Sequence, residues 1–183
     1  MQHISHFSAA RWPTSLKVSS LLGSAPLLGV GYAAFSAIPR GTRVPFAETC
    51  GTLIASVPPA IALFAALFVV SGYELDGQCL SVRRLLWATP VALTGIRKTY
   101  HHPGAMKRLL RVFGNDGLLS ITGIYKNKPL GWYRAFVTDP SHAVVLVLPS
   151  RVVVISPLDP LTFIRQLRVI FPGIHTTPQG GAA

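Results

Sequence analysis

The strongest constraint on this chain is a pair of long stretches without a charged side chain. Val18 to Ile38 is free of charge over 21 residues, flanked by Lys17 and Arg40. Thr49 to Tyr73 is free of charge over 25 residues, and its second half, AIALFAALFVV, is nearly pure hydrocarbon. An α-helix rises about 1.5 Å per residue, so about 20 residues cross a hydrocarbon core about 30 Å thick. Both runs are long enough. Ser, Gly and Pro26 dilute the first, which also admits a reading as a cleaved signal peptide; Phe35, three places before a cut at Ala37, is too bulky for that position. Pro58 and Pro59 predict a kink or loosening in the first half of the second. The 10 residues from Pro39 to Glu48 allow only a turn, so helices over 18–38 and 49–72 are expected to form an antiparallel transmembrane hairpin. Composition agrees: 50% of residues are hydrophobic, 13% are charged and the mean hydropathy is +0.45, unlike an ordinary soluble domain.

Lys and Arg near a span favour the cytoplasmic side. Arg11 and Lys17 before the first run balance Arg40 and Arg43 in the loop. Arg83, Arg84, Arg97 and Lys98 follow the second run closely and break the tie. The expectation is a multi-pass protein of the inner (plasma) membrane with both termini cytoplasmic. Gly29 and Ala33 form a small-xxx-small pair, assigned first to packing within the hairpin and second to the seam of a homo-oligomer. Cys50 and Cys79 lie at opposite ends of the second span, too far apart for a disulfide.

Beyond Tyr73 the chain changes to short β-prone segments punctuated by Gly, Pro, Asn and Asp. YELDGQCLSVRR reads as two strands turning at Asp76-Gly77. PVALTGIRKTY, GLLSITGIYKN, LGWYRAFVTD, HAVVLVL and RVVVIS supply five more, giving an antiparallel set of seven. A helix follows. Asp159 sits where its carboxylate can accept the first free amide protons, and Pro160 follows where a missing N–H does no harm. Phe163, Ile164, Leu167, Ile170 and Phe171 share one face, while Pro172 and Gly173 end the helix. That face is expected to plug the open end of the strand array.

The segments GNDGLLSITGIYKNKPLGWYRAFVTD and VVVISPLDPLTFIRQL, following a span and a short hairpin, resemble the bacterial pleckstrin-homology (PH)-like domain membrane proteins over roughly Gly72 to Arg168. Tyr125-Lys126-Asn127-Lys128 to Gly131-Trp132-Tyr133, and Ser156-Pro157-x-Asp159-Pro160, carry the likeness most specifically. The resemblance implies an α+β membrane protein: a two-helix hairpin, then a PH-like antiparallel β-barrel of about seven strands capped by a C-terminal α-helix. The corresponding divisions are a tail over 1–17, the hairpin over 18–72, the PH-like domain over 73–172 and a disordered tail over 173–183. Lipid-binding eukaryotic PH domains grip phosphoinositides with basic residues around a longer first loop. Here that loop is little more than Asp76-Gly77, with an acid in it, so that site is not carried over.

Catalysis finds few groups to use. Asp76, Asp116 and Asp139 occupy turn signals, Asp159 caps a helix, and Glu74 and Glu48 lie beside the spans. His101-His102 has no nearby acid or Cys to complete a metal or base site, and His3 and His6 are placed in a frayed tail. No nucleophile elbow, phosphate loop or zinc pattern occurs. No catalytic residue, metal or cofactor is therefore expected, and the protein is not read as an enzyme. The alternative is a membrane-bound enzyme, or a subunit of one, using His101 and His102. The positive signal is charge: a net +11, with Arg83, Arg84, Arg97, Lys98, Lys107, Arg108 and Arg111 as candidates for binding an anionic bilayer. Nucleic acid is not expected, because no aromatic array interleaves with these cations. The expected function is a non-catalytic, membrane-anchored module that binds a protein or peptide partner or the membrane surface.

Overall fold

The computed structural model describes residues 5–38, 45–107, 110–116 and 120–177. After the strand β1 (Ser5–Ser8) come two long helices, α1 (Thr14–Ser36) and α2 (Pro45–Leu67). The helix α2 ends five residues earlier than the hydropathy suggested, because β2 (Val70–Asp76) already begins there. Thr14–Ser36 and, within α2, Glu48–Leu67 are long and apolar enough to cross a membrane. Their side chains are mostly exposed, including Leu21, Leu22, Ile54, Leu63 and Phe64. That separates them from core helices of a soluble protein, which pass the same length test but are buried.

The two helices meet along a narrow seam where Ser20, Gly31 and Ala55 are buried. A Cβ at Gly31 would lie 2.8 Å from Pro59 Cδ and 3.2 Å from the Ala55 carbonyl oxygen, so the close approach requires glycine. The sequence reading placed the contact at Gly29 and Ala33. Gly29 instead has nothing within 4 Å of that position, and Ala33 is exposed; helical phase turns both away from α2. Both helices continue through their prolines, at Pro26 and at Pro58-Pro59.

The rest of the chain forms two sheets. The strands β2, β3 (Cys79–Arg84) and β4 (Ala88–Ala92) form an antiparallel meander that β1 extends at one edge. Gly77, at φ +52°, makes the tight turn between β2 and β3. The second sheet contains β5 (Lys98–His101), β6 (Leu110–Asp116), β7 (Ile121–Asn127), β8 (Gly131–Val137), β9 (Val144–Val147), β10 (Val152–Ile155) and β11 (His175–Thr177), in the order β11-β5-β9-β10-β8-β7-β6. The helix α3 (Pro160–Ile170) lies between β10 and β11 in sequence.

Several expectations are corrected. The sheets are separate ladders joined by the isolated Ala9–Pro157 bridge, so the described residues form no closed barrel. They are also not wholly antiparallel: β10 pairs parallel with β8, and β11 with β5. The segment read as one strand from Pro90 to Tyr100 turns at Thr94-Gly95 and contributes β4 to one sheet and β5 to the other. Residues assigned to tails supply β1 and β11. His6 belongs to β1, where its Nδ1 lies 2.9 Å from Glu74, rather than to a frayed end; His3 lies outside the described residues.

The principal core lies between the sheets and beneath α3. Tyr73, Leu80, Phe136, Leu146 and Ile155 meet Phe163, Ile164 and Leu167 there, and Ile170 and Phe171 cover it partly. Each such side chain contributes on the order of 1.5–3 kcal/mol on burial. Asp159 accepts hydrogen bonds from the Leu161 and Thr162 amides, the cap expected from the sequence. A second cluster, including Met106, Tyr125, Tyr133 and Val154, packs on the other face of the larger sheet. Burial on both faces explains why β9 and β10 read VVLV and VVVI, without polar alternation.

Candidate functional site

Where the helices join the sheets, three segments are knitted together. The Tyr73 hydroxyl donates to the Phe136 carbonyl at 2.6 Å and accepts from the Ser156 amide at 3.0 Å. The Thr138 hydroxyl donates to the Ala10 carbonyl at 2.9 Å, and the Ala10 amide donates to the Ser156 carbonyl at 2.9 Å. Burial pushes the Tyr73 hydroxyl up to about 12, against the lowering effect of its Ser156 hydrogen bonds. It therefore stays protonated as a structural donor across the physiological range.

Beside this hub, Arg84 is drawn inward. It pairs with Val70, close after the end of α2, and only 7% of its surface is exposed. Its guanidinium carbon lies 5.0 Å from the Phe68 ring centre, 5.6 Å from Trp87 and 5.5 Å from Phe136. The Nε is buried without a hydrogen-bond partner. Arg134 stands over the same Phe136 ring at 5.0 Å. Burial first, and the charge of Arg134 second, push the Arg84 pKa below its usual value. Among the described residues no carboxylate pairs with either arginine; the ion pairs present are His6–Glu74, Arg83–Glu74 and His142–Asp139. The Arg84 amide donates to the Trp87 carbonyl, closing a turn whose Leu85 and Leu86 are 67% and 72% exposed.

Of the seven cations singled out in the sequence, those whose side chains are described do not form one patch. Arg83 is exposed and paired with Glu74. Arg97 and Lys98 are exposed at the opposite end, near the Asp76-Gly77 turn, where the Leu93 amide reaches the Gln78 carbonyl. Lys107 follows Ala105 and Met106 on the side of the second core cluster. Arg111 lies in β6, and Arg108 lies outside the described residues. Arg84 differs from the others in being buried among rings rather than solvated.

The histidines are drawn into a turn. His101 Nε2 lies 3.1 Å from the Ser141 carbonyl oxygen, and the His102 ring is tilted 53° to that of Tyr100 at 6.2 Å between centres. Nearby, Asp139, Ser141 and His142 contact one another, but Ser141 Oγ and Asp139 Oδ2 both approach His142 Nδ1, at 3.0 and 2.9 Å. A proton relay needs its acid and nucleophile on different ring nitrogens. This cluster is instead the cap of the short 3-10 helix Pro140–His142. Burial would raise the Asp139 carboxyl; hydrogen bonds from Ser141 and His142, with the charge of His142, outweigh it and hold the pKa low. Among the described residues no group of three or more His, Cys, Asp or Glu could hold a metal ion. An open, largely apolar pocket of ≈ 200 Å³ lies beside Leu161, Ile164, Arg165, Arg168 and Thr176.

Sequence reasoning missed the aromatic enclosure of Arg84 because its parts come from the end of α2, the β3–β4 turn and β8. The one local signal was the apolar run Leu85-Leu86-Trp87 directly after two arginines. In comparisons with known proteins, a family profile described as a bacterial PH domain matches residues 71–170. No curated protein matches the chain. No solved structure matches it. The matched segment runs from the second residue of β2 to the last residue of α3, taking in Arg84, α3 and the hub apart from Ala10, and the chain belongs to the bacterial PH domain family.

Proposed function

We propose that this chain is a non-catalytic, membrane-anchored PH-like binding module. The helices α1 and α2 cross the plasma (inner) membrane as a hairpin, both termini face the cytoplasm, and the domain is held at the bilayer surface for a protein, a peptide or the membrane itself. One observation carries this reading. The strand before α1 pairs with the strand after α2, Ser5 to Ser8 against Leu75 to Gly72. If the helices cross a bilayer, that pairing requires both outer ends on one side. Phe68 and Val69 alone separate α2 from β2, too short a link for a freely swinging domain. The excess of Lys and Arg after α2 makes that side cytoplasmic.

Native membranes provide the test. The protein is expected to stay with the membrane fraction after alkaline carbonate extraction. An impermeant thiol reagent on intact spheroplasts is expected to leave Cys79, in β3, unlabelled until the membrane is opened. Release by carbonate would overturn the anchor, and labelling of Cys79 in closed spheroplasts would reverse the orientation.

A further inference from the structure

We propose that Arg84 and Arg134 form a binding site for the phosphate of an anionic phospholipid, with the exposed Leu85-Leu86-Trp87 turn seated among the lipid chains beside it. This rests on the membrane-anchored reading above and adds a ligand and its residues.

A guanidinium offers five N–H donors and a full positive charge. Aromatic faces stabilise the charge but accept no strong in-plane hydrogen bond, so the rings of Phe68, Trp87 and Phe136 leave the donor edge of Arg84 unsatisfied. Burying a charge without a counter-ion is costly. A second arginine over the same Phe136 ring makes the local field more positive. Among the described residues no carboxylate answers it, and the buried Nε has no partner. The Nη groups, unlike the Nε, are not sealed from solvent, so an anion from outside the chain can reach them and supply the missing partner, and the position of the site says which one.

Phe68 directly follows α2 and packs edge-on against Trp87 at 5.2 Å. The Ser120 hydroxyl donates to the Phe68 carbonyl at 3.2 Å, tying the start of β7 to the same point. Arg84 thus lies at the level where an apolar helix emerges from hydrocarbon, the depth of lipid phosphates and of interfacial tryptophans. Leu85 and Leu86, more than half exposed, are unfavourable in water and favourable in lipid. A planar guanidinium suits two oxygens of a phosphate.

The test uses the full chain, purified in mild detergent with palmitoyl-oleoyl phosphatidylglycerol as the probe and retained lipid counted by native mass spectrometry. The unchanged protein is expected to retain the lipid, and so is the Arg97→Gln/Lys98→Gln control at the far end. Arg84→Gln is expected to reduce retention by about tenfold or more, as loss of a bidentate charged contact should. Arg84→Lys should fall between, keeping charge but not the fork. Arg134 is exposed, so Arg134→Gln carries the test even if Arg84→Gln fails to fold, and it too should lower retention. Folded variants that retain the lipid equally would overturn the site. Displacement of the lipid by about 20 mM inorganic phosphate, roughly a twenty-thousandfold excess over a site of about 1 μM, would assign the site to free phosphate and overturn the lipid. Failure of anchoring shows separately, as release of the unchanged protein by carbonate.

Discussion

The two ends of the PH-like unit handle charge in opposite ways. At the far end, beyond the Asp76-Gly77 turn, Arg97 and Lys98 are exposed, Lys98 with one ring beneath it, Tyr100 at 5.0 Å, and Gln78 and Thr94 meet in an exposed hydrogen bond. At the helix end, Arg84 is enclosed by three rings beside the Tyr73 hub, under a turn of exposed leucines. Six residue steps of β2 separate Val70 from Asp76, about 20 Å at strand rise. A count of cations gives both ends equal weight. Burial and missing partners separate them, because a solvated cation has water as its partner and an enclosed one does not.

The largest expected effect falls on the structure that holds the helix end together. Phe163 is fully buried, and its ring meets Phe7 of β1 at 5.0 Å. Phe163→Ala is expected to destabilise the protein by about 3–5 kcal/mol, comparable with the whole stability of a small domain, and to release the N-terminal strand to proteolysis. Chemical denaturation in detergent checks this. Tyr73→Phe removes the partner of a buried carbonyl and a buried amide, and should cost about 1–3 kcal/mol without changing the shape of the core.

A smaller effect depends on pH. The folded pKa of Asp139 lies below its ordinary value, so the carboxylate stabilises the fold above about pH 4 and loses that contribution as pH falls through the depressed value. Stability of the unchanged protein should therefore fall more steeply below about pH 4 than that of Asp139→Asn, with both flat between about pH 5 and 8 in this respect. The smallest effect belongs to the far end: Arg97→Gln with Lys98→Gln should change stability by no more than about 0.5 kcal/mol, as surface changes usually do. A large loss there would break the contrast.

How far the sequence revealed this arrangement depends on whether each signal is local. The start of α3 is written in consecutive residues, an N-cap Asp159 followed by Pro160, and its buried face follows from helical spacing. The runs of β9 and β10 and the turn at Gly77 are similarly self-contained. The parallel pairing of β10 with β8 is not, since nothing within either strand names its neighbour. The strand β1 is four residues of alternating burial whose reason for existing is the free edge of β2, more than 60 residues away. The strand β6 was hidden by its charges and by the exposed Leu110, Val112 and Phe113, which do not alternate like a half-buried strand. Arg84 shows the same limit at the candidate site. The sequence marks it as a cation near a span; only packing brings Phe68, Trp87 and Phe136 around it.

The most direct measurement compares the two ends against lipid. In a full-length Cys50→Ser/Cys79→Ser background reconstituted into bilayers, single cysteines replace Leu86 and Asp76 in turn, and a fluorophore on each is quenched by nitroxides at shallow positions on the acyl chains. The account predicts strong quenching at Leu86 and little at Asp76, which stands about 20 Å further out. Equal quenching at the two positions, or none at Leu86, would contradict it.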